Sequence, residues 1–197
     1  MLNPLHPGSH NNLQLGEGVL MRCADLDALL TGDDPAAALA QAIEKASGLL
    51  GATKEGCVFR CVPVMIDATK GARTPADGET LQGRWEITLS GTLMEITPDN
   101  AALLLGSPLY TTAGRRTTLT PRPDAIPTAG EDVCWVGDTG SGLLAIQLFC
   151  PISIGGMVFR AHRNGLGEAA FTLMAQKRDP AEERLPCRMI WLREAMA

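Results

Sequence analysis

The chain has 197 residues, a formal charge of −5, 45% hydrophobic residues and only 4% aromatic residues. This length predicts one domain with an aliphatic core, and the absence of a basic stripe disfavours tight nucleic-acid binding. The sequence has no long apolar run and no signal-peptide pattern at its start, so we expect a protein made and kept in the cytoplasm.

The first 24 residues divide into an arm and a strand. Residues 1–12 contain Pro4 and Pro7 but no apolar period, which predicts an extended arm. Residues 13–24 form a first predicted strand, interrupted by the glycines of 16–18. Glycines inside a strand indicate a bulge or a close backbone approach.

Residues 33–50 are predicted to be a helical insertion. Two aspartates and Pro35 open it, the alanine-rich segment 36–50 continues it, and Gly51 follows its end. The apolar stripe of this helix is weak. We therefore expect the helix on a surface or a subunit boundary rather than inside the core.

A turn, a strand and a long loop follow the helix. Residues 51–56 read as a turn and residues 57–66 as a strand rich in Val, Phe and Cys. Residues 67–83 carry glycines and a proline among charged and small polar residues. Because loops of this length are usually functional or disordered, we expect this one to project outward.

Residues 83–106 give the clearest local pattern in the chain. Five apolar or small residues alternate with charged and hydroxyl residues, which predicts a half-buried antiparallel strand; the five are Trp85, Ile87, Leu89, Gly91 and Leu93. A helix start follows, with Thr97 as N-cap, Pro98 in the first helical position and Asp99 in the first turn. The apolar segment 101–105 ends at Gly106.

The remaining sequence predicts further strands. Residues 109–121 read as one strand, and 134–136 with 143–149 read as a hairpin around the glycine-rich segment 137–142. The last three predicted strands are 157–161, 168–177 and 187–192. In total we expect about eight strands and two helices, which makes a mainly-β fold.

No pattern of residues makes an enzyme the favoured interpretation. The segment 137–142 resembles a phosphate loop but leads into a strand instead of a helix, so a tight turn is favoured. A Ser141, His162 and Asp138 triad lacks a nucleophile elbow. We expect no catalytic residue, no cofactor and no metal site, and core positions for all three tryptophans.

The six cysteines are scattered along the chain rather than arranged in a framework. Cys57 and Cys61 share a strand face with Phe59, and a metal there would need further ligands from elsewhere, so buried thiols are favoured. We expect no disulfides in a reducing compartment.

An ordered series of strand and turn patterns between residues 51 and 192 resembles the tail tube protein family of long-tailed bacteriophages. The segments that carry the resemblance are 51–56, 83–89, 93–100, 159–162, 171–173, 179–180 and 186–191. Residues 25–50 depart from the simplest family pattern because their helical segment is longer. The family offers no active-site residue to transfer.

This resemblance implies a structural virion protein with a mainly-β, tail-tube-like fold, an antiparallel β-sandwich or barrel flanked by one or two α-helices. Copies would form rings, usually hexameric, that stack into the tail tube through which DNA passes during ejection. The protein would be assembled in the host cytoplasm, beside other tail proteins and without a membrane. The arm 1–12 and the loop 67–83 would reach the next ring, and the candidate subunit-interface residues are Asn11, Asn12, Thr69, Lys70, Arg73, Asp77 and Glu79.

Two alternatives stay open. The chain could be another ring-forming tail part, such as a tail terminator, a head-tail connector or the tube of a contractile injection system. It could also be a monomeric β-sandwich binding module, perhaps for carbohydrate, which would need an exposed aromatic platform. Because we expect the tryptophans on buried faces, the sequence disfavours the binding module.

Overall fold

A computed structural model describes residues 14–23, 26–45, 48–67, 80–106, 108–122, 131–139, 142–161, 167–179 and 181–193. The strands in these ranges are β1 (Gln14–Arg22), β2 (Leu49–Asp67), β3 (Thr80–Leu93), β4 (Leu109–Ala113), β5 (Arg116–Thr120), β6 (Val133–Thr139), β7 (Gly142–Leu148), β8 (Ile152–Ser153), β9 (Val158–Arg160), β10 (Glu168–Met174) and β11 (Cys187–Arg193). The helices are α1 (Leu26–Leu30), α2 (Pro35–Glu44) and α3 (Pro98–Leu104).

One antiparallel sheet organises the chain. Its strand order is β11-β7-β6-β1-β2-β3-β10-β8, with β9 also paired to β10 and with β4–β5 forming a separate hairpin. The prediction of a mainly-β antiparallel fold with few helices is confirmed. Over the described ranges the sheet does not close into a barrel, so the sandwich is the correct member of the two predicted architectures.

The sheet bends over itself and encloses the main core. Trp135 on β6 and Ile146 on β7 lie in the same buried cluster as Leu89 on β3 and Phe171 on β10. The two halves of the sheet therefore face each other. Burial of these aliphatic and aromatic surfaces, at about 25 cal/mol per Å², is the main source of stability.

The helices α1 and α2 cover the outer face of one half. Leu39 of α2 is fully buried against Cys134 and Val136 of β6 and Ala145 of β7, in a second apolar cluster. Asp34 caps α2 by accepting a hydrogen bond from the N–H of Ala37 at 3.0 Å. The weak apolar stripe is thus enough to hold this helix against the sheet.

The helix α3 begins as its sequence predicts and is anchored by a residue that the sequence analysis did not single out. Thr97 and Asn100 form a reciprocal capping box, with Pro98 in the first turn. The fully buried Asn100 also donates from Nδ2 to the carbonyls of Leu50 and Glu95, each at 2.8 Å. These bonds tie α3 to the start of β2.

The predicted turn at 51–56 is wrong. These residues lie inside β2, where the register with β3 shifts between Lys54 and Cys57. Glu55 and Gly56 have φ angles of 60° and 81°, so they form a bulge that bends one continuous strand. Residues that are typical of turns are here the two extra residues of a bulge in the pairing of β2 with β3.

Other boundaries also differ from the predictions. The predicted helix 36–50 ends at Glu44, because residues 49 and 50 already belong to β2. The predicted strand 109–121 is the β4–β5 hairpin, which turns at Gly114 with a φ of 62°. The short elements α1 and β8 were not predicted.

Gly18 and Gly137 make room for the ring of Trp135. A Cβ atom at Gly18 would lie 2.6 Å from that ring, and one at Gly137 would lie 2.2 Å from it. The indole Nε1 donates to Thr53 Oγ1 at 3.0 Å, and Thr53 donates to the Gly18 carbonyl at 2.9 Å. The predicted close backbone approach near Gly18 is confirmed, as is the register irregularity in β1.

Candidate assembly surface

A two-stranded ribbon extends from the main sheet. It comprises residues 57–67 of β2 and residues 80–91 of β3, which pair as far as Asp67 and Thr80; β10 joins as a third strand only at its base, beside residues 88–91. The strand β1 pairs with β2 only at residues 49–53, and β10 pairs with β3 only at residues 88–93. Within the described strands, residues 57–67 therefore have one unpaired sheet edge.

The outer face of the ribbon is partly apolar. Val58 is 66% exposed and Val62 is 38% exposed, and both alternate with Arg60. Arg60 lies 3.7 Å from Glu86 on the neighbouring strand. Exposed β-branched residues beside an unpaired edge are typical of a surface that meets another strand.

The base of the ribbon is held by packing and by one ion pair. A Cβ atom at Gly91 would lie 3.0 Å from the Phe171 ring and 3.1 Å from the Gly56 carbonyl, so the bulge sits tightly over β3. Lys54 Nζ lies 2.6 Å from Glu168 Oε1, and this hydrogen bond raises the pKa of Lys54. The direction of the ribbon is thus set at its base.

The strand β11 forms a second open edge. It pairs with β7, and no other described strand pairs with it. Ile190 and Leu192 face the cluster under the helices, while Met189 and Trp191 point to the opposite face and are 39% and 62% exposed. An apolar, unpaired edge therefore lies at this end of the sheet.

Two further exposed apolar patches lie elsewhere. The β4–β5 hairpin exposes Leu109 and Tyr110, and it touches the rest of the described structure mainly through α3. Val158 and Phe159 are each 51% exposed on β9. An isolated two-stranded hairpin is marginally stable, so the β4–β5 hairpin would gain from a packing partner.

The seven predicted interface residues lie outside the described ranges. Five of them belong to the segment 68–79 that joins the two ribbon strands, and two precede β1. The prediction of a role for these residues stays a prediction; they are Asn11, Asn12, Thr69, Lys70, Arg73, Asp77 and Glu79. The arm 1–12 and residues 68–79 of the predicted loop 67–83 also lie outside the described ranges, whereas Asp67 and residues 80–83 belong to β2 and β3.

The tryptophan prediction is correct for one residue and wrong for two. Trp135 is 1% exposed, whereas Trp85 is 39% exposed and Trp191 is 62% exposed. Both exposed rings stand on the same strand face as a residue of the main core, Ile87 on β3 and Cys187 on β11. The alternation of apolar and polar residues in a strand predicts which face of the sheet a side chain is on, but it does not predict whether other residues cover that side chain.

A buried polar network was missed by the sequence analysis. Asp132 is 4% exposed, and its Oδ1 accepts from Arg178 at 2.8 Å and from the N–H of Cys150 at 3.1 Å. Its Oδ2 accepts from Gln147 Nε2 at 3.0 Å. The bond to Asp132 raises the pKa of Arg178, and the network fixes the segment after β10 against β6.

A cleft in the described ranges holds few polar or charged side chains that could act together on a ligand. A cavity of about 240 Å³ beside α3 and β8 is lined by Arg22 and Glu131, which lie 3.7 Å apart, and otherwise by apolar or small residues. No group of three His, Cys, Asp or Glu side chains in these ranges could share a metal ion. None of the described helices is long and apolar enough to span a membrane.

Comparisons with known proteins add no family assignment. No protein-family profile matches the chain, and no curated protein sequence matches it.

Proposed function

We propose that this chain is a structural virion protein whose copies assemble into stacked rings that form a phage tail tube. The observation that carries the proposal is that residues 57–67 and β11, in the sheet formed by the described strands, each have an edge that no described strand pairs with. The resemblance of the ordered strand and turn patterns to those of tail tube proteins is the reason for proposing stacked rings.

Unlike edges favour a head-to-tail contact between copies. When a patch on one copy meets a different patch on the next, the contacts either close into a ring or continue as a helical filament. Each contact would satisfy backbone groups that an isolated copy leaves to water. Val58 and Trp191, which stand beside the two edges, would lose exposed apolar surface at the same time.

The charge of the chain is compatible with a conduit for DNA. A formal charge of −5 without a basic stripe gives DNA little electrostatic attraction to the surface. Contacts between rings would fall to the segment 68–79 and the arm 1–12. Lys70, Arg73, Asp77 and Glu79 would supply charged contacts there.

Negative-stain electron microscopy and light scattering at high protein concentration test this assembly. We expect rings or tubes from the natural chain. Trp191→Glu should leave a folded monomer that assembles at least tenfold less readily, because charge on an edge strand opposes pairing. The control Ala40→Glu places the same charge on the exposed face of α2 and should assemble normally.

A deletion separates contacts within a ring from contacts between rings. Removal of residues 69–81 should abolish tubes while the monomer remains folded. Normal tubes from this variant would refute the role of the loop. Rings that never stack, in the natural chain, would favour a terminator or connector instead.

The exposed aromatic rings favour one second candidate, a monomeric binding module. Trp85, Trp191 and Tyr110 are all accessible, which removes the expectation that had disfavoured a stacking platform. This candidate predicts a monodisperse monomer at all concentrations. It also predicts that oligosaccharides quench the fluorescence of Trp191 and that Trp191→Ala abolishes the quenching.

A further inference from the structure

The β4–β5 hairpin is a basic surface on an acidic chain. Residues 100–123 contain three arginines and no aspartate or glutamate, whereas the whole chain has a formal charge of −5. Arg115 lies in the hairpin turn and Arg116 begins β5, and both are exposed. None of the ion pairs within the described ranges involves either residue. The tip of the hairpin therefore carries two cations that no described carboxylate balances.

The same hairpin has little packing of its own. Every residue of β4 is exposed, and β5 contacts α3. Leu109 and Tyr110 on β4 are 55% and 49% exposed. The five paired residues of each strand span about 17 Å. Both β4 and the turn are therefore available for contact with another molecule.

A groove of about 780 Å³ opens where β1 and β2 separate. The pairing of these two strands begins at Gly18 and Thr53. Next to this point, Glu17 on β1 and Glu55 in the bulge of β2 line the groove from the two strands that border it. Its apolar lining comes from Val19, Ala52 and Met94. No hairpin residue in the described ranges lines this groove, so the two surfaces are separate on one chain.

The groove has an acidic excess. Lys54 also lines it, but its Nζ lies 2.6 Å from Glu168 Oε1, and this hydrogen bond raises the pKa of Lys54. Glu17 and Glu55 are exposed, and the ion pairs of the described ranges include neither of them. Carboxylates are the groups that a guanidinium binds best, through two parallel hydrogen bonds. The groove is thus complementary in charge to the tip of the hairpin.

We propose that the β4–β5 hairpin of one copy of this chain docks into the β1–β2 groove of a second copy, with Arg115 and Arg116 paired to Glu17 and Glu55. Because hairpin and groove are different surfaces, the contact is head-to-tail and repeats from copy to copy. The inference rests on the proposed assembly and names one contact within it.

The apolar residues favour a second copy over a polyanion such as DNA. A phosphate backbone would pair with the two arginines, but it offers no apolar surface to Leu109 and Tyr110. The groove offers both carboxylates and an apolar lining. Complementary charges would set the register of the contact, and the apolar side chains would add buried area.

Reversal of charge on the purified full chain tests the docking. Arg115→Glu/Arg116→Glu reverses the hairpin, and Glu17→Arg/Glu55→Arg reverses the groove. Each variant alone should need about tenfold more protein than the natural chain to reach the same associated fraction in sedimentation velocity. An equimolar mixture of the two variants should recover the natural behaviour, because each reversed hairpin then meets a reversed groove. Thermal melting checks that each variant is folded.

Two further variants keep the test decisive. Lys45→Glu/Arg184→Glu changes the net charge by the same amount as the hairpin variant, but its exposed residues line neither surface, so it should associate as the natural chain does. Glu17→Arg alone leaves the bulge of β2 unchanged and should weaken association in the same direction. Raising the salt concentration from about 0.05 M to about 0.5 M should weaken association of the natural chain by about tenfold.

The outcomes separate this contact from the tail tube. A mixture that stays dissociated, or rings and tubes from each variant alone, would overturn the docking and leave the tube proposal standing. A hairpin reversal whose only effect is lost binding of a labelled DNA duplex would also overturn the docking. Association that the mixture restores, without rings or tubes, would support the docking and overturn the tube. A natural chain that stays monomeric at every concentration would overturn both.

Discussion

The helix-backed half of the sheet and the ribbon differ in how much of their strands is covered. In the helix-backed half, β6 is covered on both faces, and Trp135 is 1% exposed with its indole N–H bonded to Thr53. In the ribbon, Val58 is 66% exposed and one edge of residues 57–67 meets no described strand. The first arrangement buries apolar side chains, and the second leaves apolar side chains and one backbone edge outside the described core.

The comparison shows where changes should matter. Around Trp135, glycines at 18 and 137 leave no spare volume, so small additions are costly. Around Trp191 the ring meets water on most of its surface. Stability should therefore respond to the first region, and assembly should respond to the second.

The largest expected effect is that of Gly137→Ala. The new methyl group would lie 2.2 Å from the Trp135 ring, so the ring or β6 must move. We expect a loss of about 3 kcal/mol in the free energy of unfolding, measured by urea denaturation. The matched control Gly32→Ala has nothing within 4 Å and should change stability by less than about 0.5 kcal/mol. Equal effects of the two variants would contradict the tight packing of the helix-backed half.

The next effect compares one substitution at two tryptophans. Trp135→Phe removes the hydrogen bond to Thr53 and leaves a small cavity, so we expect a loss of about 2 kcal/mol. Trp191→Phe changes a ring that is 62% exposed and should shift stability by less than about 0.5 kcal/mol. Thermal unfolding of both variants measures the difference. A larger loss at Trp191 would mean that the exposed edge is part of the core.

The smallest effect is a loss of stability in alkaline solution. Burial raises the pKa of Cys57 to about 12, whereas thiols in an unfolded chain titrate near pH 8.5. Above that pH the unfolded chain binds fewer protons than the folded chain, so stability is complete below about pH 8.5 and falls as pH rises towards 12. We expect less than about 1 kcal/mol between pH 8 and pH 10, because water screens a half-exposed thiol. Cys57→Ala should reduce this slope in urea titrations, and an unchanged slope would contradict the burial of the ribbon base.

Local chemistry predicted the elements whose signals are unambiguous. The box of Thr97 and Asn100 starts α3 where the sequence places it, and the hairpin of β6 and β7 joins the two predicted strands. Both features depend on a few adjacent residues. They do not depend on what packs above them.

Other features depend on distant contacts and escaped the sequence analysis. Glu55 and Gly56 have positive φ angles, which a turn and a bulge use equally, so only pairing with β3 identifies the bulge. The network around Asp132 joins residues far apart in the chain, with Arg178 46 positions away. Trp85 is 39% exposed although it shares a strand face with the buried Ile87, so the alternation of residues in a strand does not by itself decide burial.

The anchoring of the ribbon has a mechanical consequence. A pull on its far end, directed along β3, would slide that strand past β10, to which it is joined by six residue pairs from 88 to 93. The same pull would slide β2 past β1 at residues 49–53. In this direction the backbone hydrogen bonds between the strands carry the force together, so they must break together and not one after another. The ribbon should therefore resist a force along its own strands better than a force that peels the strands apart.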